Sequence, residues 1–186
     1  MRIREEATAL LHEWVKSPSL QKHCLSVAVA MEGYAKKLGL SYDEIELYWM
    51  CGLLHDLDYE KFPDINIHPI EGCKELRKKE YDEKIIEAIL GHNSKTGIKR
   101  YSKMAKTLFA VDELCGLVIA LAKVRPENFE GMSSENVKKA MKKKDFAAAI
   151  NREDIQKGII ELGVNEDEHF NLVINSLKES KGELGF

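Results

Sequence analysis

The sequence predicts an all-α protein, and three observations carry that prediction. Apolar residues recur at three- and four-residue intervals along most of the chain, with no convincing strand-like alternation. Ser, Asp and Asn stand where the periodic stretches begin, and Gly or Pro where they end. Hydrophobic residues form 44% and charged residues 32% of the 186 positions, which suits one well-buried domain and leaves little room for two.

The elements follow in order. A first helix is expected over residues 3–16, stopping before Pro18. A second runs from about Pro18 to Leu38, with Leu20, Val27, Ala30, Met31 and Tyr34 along one face and Gly39 closing it. Ser41 or Asp43 caps a third helix, apolar through LYWMCGLLHDL. The stretch DYEKFPDINI reads as a loop leading into HPIEGCKELRKKE, where Pro69 suits a first helical turn. Asp82 caps EKIIEAILGH, and after the polar loop NSKTGIKRYS, Ser102 opens a long helix through Lys123 that ends before Pro126.

Three shorter amphipathic segments follow, near 133–144, 151–162 and 166–179. Asn151 with Asp154, and Ser133 or Ser134 with Glu135, mark helix starts. The expected organisation is one domain over 1–186, its chemistry-bearing part about 18–125 and a C-terminal helical layer about 127–186 packed on it. No repeat of 20–50 residues is visible.

Bulk properties narrow the partners. The formal net charge is -3, so nothing global advertises nucleic acid or a membrane surface. A basic run at Lys138, Lys139, Lys142, Lys143 and Lys144 is flanked by acids and reads as a solvated helix face. No apolar run approaches the roughly 20 residues a bilayer requires. The N-terminal MRIREEATALLHEW is amphipathic and charged, unlike a secretory signal, so a cytoplasmic address is expected. The four cysteines are scattered through apolar stretches without a C-x-x-C pair and read as free, buried thiols.

Of six histidines, His12 and His169 lie among polar neighbours and are read as surface residues. The other four fall on apolar faces or at their ends. His23 follows Leu20 by three and precedes Val27 by four; His92 follows Ile89 by three and Ile85 by seven. His55 and Asp56 finish the apolar run from Tyr48, and Asp112 lies four after Leu108 and three before Cys115. An ionised carboxylate in an apolar interior costs several kcal/mol unless it is paired or binds a metal. No Lys or Arg occupies the neighbouring apolar-face positions around Asp56 or Asp112, whereas one divalent cation compensates several such groups together.

The ordered set H…HD…H…H…D resembles the HD-domain superfamily of metal-dependent phosphohydrolases, which is all-helical. The matching text is KHCLSVAVAM at His23, GLLHDLDYE at His55 and Asp56, HPIEG at His68, AILGHN at His92 and LFAVDELCG at Asp112, covering roughly residues 20–125. The resemblance implies that His23, His55, Asp56 and Asp112 match the one-metal ligand set. His68 and His92 match the extra histidines of the two-metal branch, where the HD aspartate bridges both ions. The chain looks most like small bacterial HDIG-type hydrolases. It also shares HP-x-x-G and a later His with the diadenosine-tetraphosphate hydrolase branch, but departs from it after the HD pair and after Asp112, so no substrate carries over.

The resulting expectation is hydrolysis of a nucleotide or other small phosphate ester by metal-activated water. One or two divalent transition ions are implied, Fe or Mn first and Co, Zn or Ni next. Asp58 and Glu60 are the candidates for proton transfer; Tyr59 stands where some HD nucleotidases place a Glu. Lys61, Lys95, Arg100, Arg125 and Arg152 are the candidate phosphate partners. Gly52 and Gly72 would allow close packing near the metals, Asn93 would support His92, and Glu113, one residue past Asp112, should face elsewhere. Two alternatives remain: a mixed-valent di-iron oxygenase on the same six ligands, and a non-catalytic sensing or interaction module. A homodimer is compatible with all three.

Overall fold

A computed structural model describes residues 4–186, and contains nine α-helices and no strand among them. They are α1 (Arg4–Trp14), α2 (Pro18–Lys37), α3 (Tyr42–Leu54), α4 (Ile70–Lys78), α5 (Glu83–His92), α6 (Lys103–Val124), α7 (Ser134–Lys142), α8 (Arg152–Leu162) and α9 (Glu166–Glu179). The first residue expected in α1, Ile3, lies outside the described residues.

The caps explain the boundaries. Ser17 accepts from the Leu20 amide with Pro18 at the first helical position of α2, and Gly39, at φ 67°, closes that helix. Ser41 and Glu44 form a reciprocal capping box on α3. Asp82, Ser102, Asn151 and Asn165 each accept from the first turn of the helix they precede. Pro69 stands one residue ahead of α4 rather than in its first turn.

The apolar α6 buries more residues than any other helix and packs against α2, α5, α7, α8 and α9, with α9 also reaching α2. Two glycines let helices touch backbone to backbone. A Cβ at Gly52 would lie 2.6 Å from the Ala28 Cα, which brings α3 onto α2; one at Gly158 would lie 2.6 Å from the Ala110 Cα, which brings α8 onto α6. Arg4 fastens α1 to this frame by hydrogen bonds to Glu46 and Glu32. Fully buried Leu54, Ile85, Leu108 and Phe170 each contribute about 1.5–3 kcal/mol of hydrophobic stabilisation. All four cysteines are free and buried. No described helix is long and apolar enough to cross a membrane.

His169 is a correction. It is fully buried, donates from Nε2 to the Ala110 carbonyl at 3.0 Å, and accepts at Nδ1 from the Tyr34 hydroxyl. Its polar sequence neighbours belong to the outer face of α9, while position 169 joins Phe170 and Val173 on the inner one. His12 is exposed, as expected.

Candidate metal centre

Helix ends place the polar cluster. His55 caps the C-terminus of α3 and His92 is the last residue of α5. Each turns its Nδ1 back to a carbonyl three residues earlier: His55 to Gly52 at 2.8 Å and His92 to Ile89 at 2.5 Å. A carbonyl only accepts, so both Nδ1 atoms carry the proton and both Nε2 atoms are left as lone pairs facing inward. The carbonyl ends of two helix dipoles thereby meet at the cluster and favour a positive charge there. His68 is oriented from the loop before α4: its Nδ1 lies 2.7 Å from Asp58 Oδ1. Asn93 steadies that loop, donating from Nδ2 to the carbonyls of Ile65 and His68 at 2.8 and 2.5 Å.

Six side chains from five segments converge. On one side, Asp112 Oδ1 lies 3.0 Å from His23 Nε2 and 3.4 Å from His55 Nε2. Asp56 Oδ2 lies 3.7 Å from His23 Nε2 and 3.4 Å from His55 Nε2. On the other side, Asp56 Oδ1 lies 3.2 Å from His68 Nε2 and 3.6 Å from His92 Nε2, and the two imidazole nitrogens are 3.1 Å apart. His23, His55 and Asp112 form one group able to hold an ion, and Asp56, His68 and His92 a second. Each oxygen of Asp56 faces a different group.

The donors fit divalent transition ions. Bonds of roughly 2.0–2.2 Å set neighbouring ligand atoms about 2.9–3.5 Å apart, the spacing found here to within a few tenths. His55 Nε2 is buried with no hydrogen-bond partner, an orphan that a metal would satisfy. The facing Nε2 atoms of His68 and His92, 3.1 Å apart, need a proton or a metal ion between them. The carboxylates point the same way. Burial opposes a charge on His55, yet Asp56 and Asp112 outweigh it and hold its imidazole well above the ordinary value. His68, also opposed by burial, is raised to about 9 by Asp56 and Asp58. Burial likewise works against ionised Asp56 and Asp112, but the imidazoles hold both far below the usual carboxylate range. The pocket is built to keep positive charge.

His23, Asp56, His68, His92 and Asp112 line a cavity of 720 Å³, with His55 buried behind them. Apolar Leu20, Tyr59, Pro63, Ile65, Phe109 and Ile150 share the lining with polar Asn93, Lys95, Glu113, Asn151 and Asp154, and Gly116 adds a backbone surface.

Several expected roles need correcting. Asp58 is fully buried and occupied: Oδ1 holds His68, and Oδ2 accepts the Gly72 amide at 2.7 Å. It positions His68 and has no free oxygen to offer a substrate. Glu60 accepts from the amides of Lys16 and Ser17 at 2.9 and 2.8 Å through Oε2, which ties the α1–α2 junction, and it lines a smaller pocket together with His23 and Tyr59. Of the five expected cations only Lys95 lines the cavity. Lys61 sits 3.9 Å above the Trp14 ring. Arg100 is paired with Glu161 at 2.7 Å, and Arg125, at the far end of α6, donates to the Asn128 and Glu130 carbonyls. Arg152 donates to the carbonyls of Lys143, Phe146, Ala147 and Ile150, and so knits the segment that presents Ile150 to the cavity.

The reading of Glu113 also fails. It lines the cavity and accepts from the Asn151 amide at 3.0 Å. Burial, followed by the charge of Asp112, raises its carboxyl to about 7. The cavity wraps far enough around α6 for consecutive residues to reach it. Asn151 and Asp154, expected only as a helix start, are part of the same wall. Gly116, one turn past Asp112, was the available signal: a Cβ there would lie 2.7 Å from Ile150 Cδ1.

The model of the family described as HD domain matches residues 20–122, more than half of the chain. The chain belongs to the HD-domain family. In that family of generally metal-dependent phosphohydrolases, the matched stretch spans every member of the cluster, from His23 to Asp112. The C-terminal wall at 149–154 lies beyond it. Comparison with curated proteins and with solved structures gave no match in either case.

Proposed function

We propose that this HD-domain protein is a metal-dependent phosphohydrolase acting on a nucleotide or other small phosphate ester. The observation that carries the reading is the paired donor set, joined through the two oxygens of Asp56, bordering an open cavity. One or two divalent transition ions, Fe or Mn first and Co, Zn or Ni next, would lower the pKa of a water toward neutrality and offset charge on a phosphoryl group.

The chain's own residues supply the arrangement. Asp58, Gly52 and Ile89 fix the imidazoles of His68, His55 and His92 with their lone pairs inward. Lys95 offers a cation in the lining for a phosphate oxygen. Leu20, Tyr59, Phe109 and Ile150 add apolar surface to the cavity lining beside the donors. The same reading places the activity in the cytoplasm, where four buried thiols stay reduced.

The test is phosphate release from a panel of nucleotides and phosphomonoesters by protein loaded with Mn or Fe. Release that stops with chelator and returns with metal is the expected result. No release across the panel with both sites shown to be filled would overturn it. Oxygen consumption by the iron-loaded protein in place of phosphate release would move the chain to oxidative chemistry.

A further inference from the structure

Exposed apolar side chains border the metal donors and, given the hydrolase reading above, narrow the substrate. Tyr59 is 45% and Ile65 53% exposed, although both belong to the segment between α3 and α4 that carries His68. The Tyr59 ring stands 5.1 Å from the His68 ring, at 81° to it. Leu20, Tyr59 and Pro63 lie together, because with His23 they line both the 720 Å³ cavity and a smaller pocket of 430 Å³. The segment is held in place. Asn93 donates to the carbonyls of Ile65 and His68, and the amides of Phe62 and His68 close turns on the carbonyls of Asp58 and Asp64. A fixed segment that leaves these side chains uncovered forgoes burial that a bound group would restore.

Their position says what covers them. They share one cavity with His23, Asp56, His68, His92 and Asp112, so a phosphate ester held at those donors has its organic group within reach of Tyr59. The other aromatic ring in the lining, Phe109, is 4% exposed and already has the Arg100 guanidinium 3.7 Å from its centroid. Tyr59 is therefore the open ring, and aromatic rings attract one another beyond the area they bury. We propose that Tyr59 is the platform on which an aromatic group of the substrate packs, bordered by Leu20, Pro63 and Ile65. One imidazole separates this ring from the other metal donors, so the aromatic group is joined to the scissile phosphate directly or through a short linker such as a pentose.

Calorimetric titration at saturating Mn with phenylphosphonate, cyclohexylphosphonate and methylphosphonate tests this, because the probes share the anion and differ in the organic group. Phenylphosphonate should bind about tenfold more tightly than methylphosphonate and about threefold more tightly than cyclohexylphosphonate. In Tyr59→Leu, which keeps an apolar side chain beside His68, the preference for phenyl over cyclohexyl should vanish; in Tyr59→Phe it should persist. Turnover of phenyl phosphate and of a nucleoside monophosphate distinguishes a ring on the ester oxygen from a base beyond a sugar. The one whose ring lies on Tyr59 is the one whose KM rises in Tyr59→Leu.

A residue that only steadied His68 would, when replaced, weaken all three probes alike and leave their ratios unchanged. That outcome would overturn the assignment, as would equal affinities for the three probes or no rise in KM for either ester. Phosphate release would still leave the hydrolase reading standing. If no probe binds and no ester is cleaved, both fall.

Discussion

Asp58 and His68 face one another at 2.7 Å, with the other carboxylate oxygen of Asp58 taking the Gly72 amide. The contact determines which nitrogen of His68 points at Asp56 and His92. Asp58→Asn keeps the volume but sets an amide N–H against either the imidazole N–H or the Gly72 N–H. On the proposed two-ion reading, metal retention should fall toward one ion, and turnover should drop about 10–100-fold. The unpaired donor should cost about 1–3 kcal/mol of stability. Elemental analysis after dialysis reads the stoichiometry; two retained ions would contradict the role given to Asp58.

Asp56 and Asp112 should differ in kind. Asp112 faces only His23 and His55, whereas each oxygen of Asp56 faces a different group of donors. Asp56→Ala is expected to empty both groups, and Asp112→Ala to empty one while His68 and His92 keep an ion. Both should lower turnover by about a hundredfold or more. Metal content and phosphate release measured on the same samples separate the two.

The ordered His and Asp set was legible because its signal is local. Each residue interrupts an apolar face, and helical periodicity says where a face points even when the partner helix is unknown. The helices themselves were legible through caps such as Ser41, Asp82 and Ser102. The far wall was not. Whether Arg100 meets a substrate or Glu161 depends on a contact 61 positions away, and whether Asn151 is a cap or a cavity residue depends on how α8 lies on α6. Asp58 and His169 were misjudged for the same reason: a polar residue beside exposed neighbours is buried only if another element covers it, and no spacing rule reports that.

Gly52 links packing to the site. It approaches Ala28 backbone to backbone, and its carbonyl holds His55 Nδ1. Gly52→Ala must push α3 from α2, at about 1–3 kcal/mol. For a chain of this size each kcal/mol lowers the melting temperature by about 2–4 °C. The displaced carbonyl should also loosen His55, so metal affinity is expected to fall along with the melting temperature. A variant with reduced stability and unchanged metal affinity would separate the two functions of this glycine.

The last prediction concerns acid stability and lies away from the metals. His169 is enclosed by α2, α6 and α9, against Tyr34 and the Ala110 carbonyl, with Lys37 and Glu168 the nearby charged groups. Burial, aided by the charge of Lys37, lowers its pKa to about 4. Between the unfolded value near 6.5 and about 4, the unfolded chain therefore binds a proton that the folded chain refuses. Stability is full above pH 6.5 and is lost as the pH falls through that window, by up to about 3 kcal/mol. Denaturant melts at pH 7, 6, 5 and 4 should show the decline. In His169→Gln, which retains an acceptor and a donor but cannot titrate, the loss over the same interval should be smaller by that amount, although the variant starts from a lower stability at pH 7. Parallel declines in the two proteins would place the acid sensitivity in other groups.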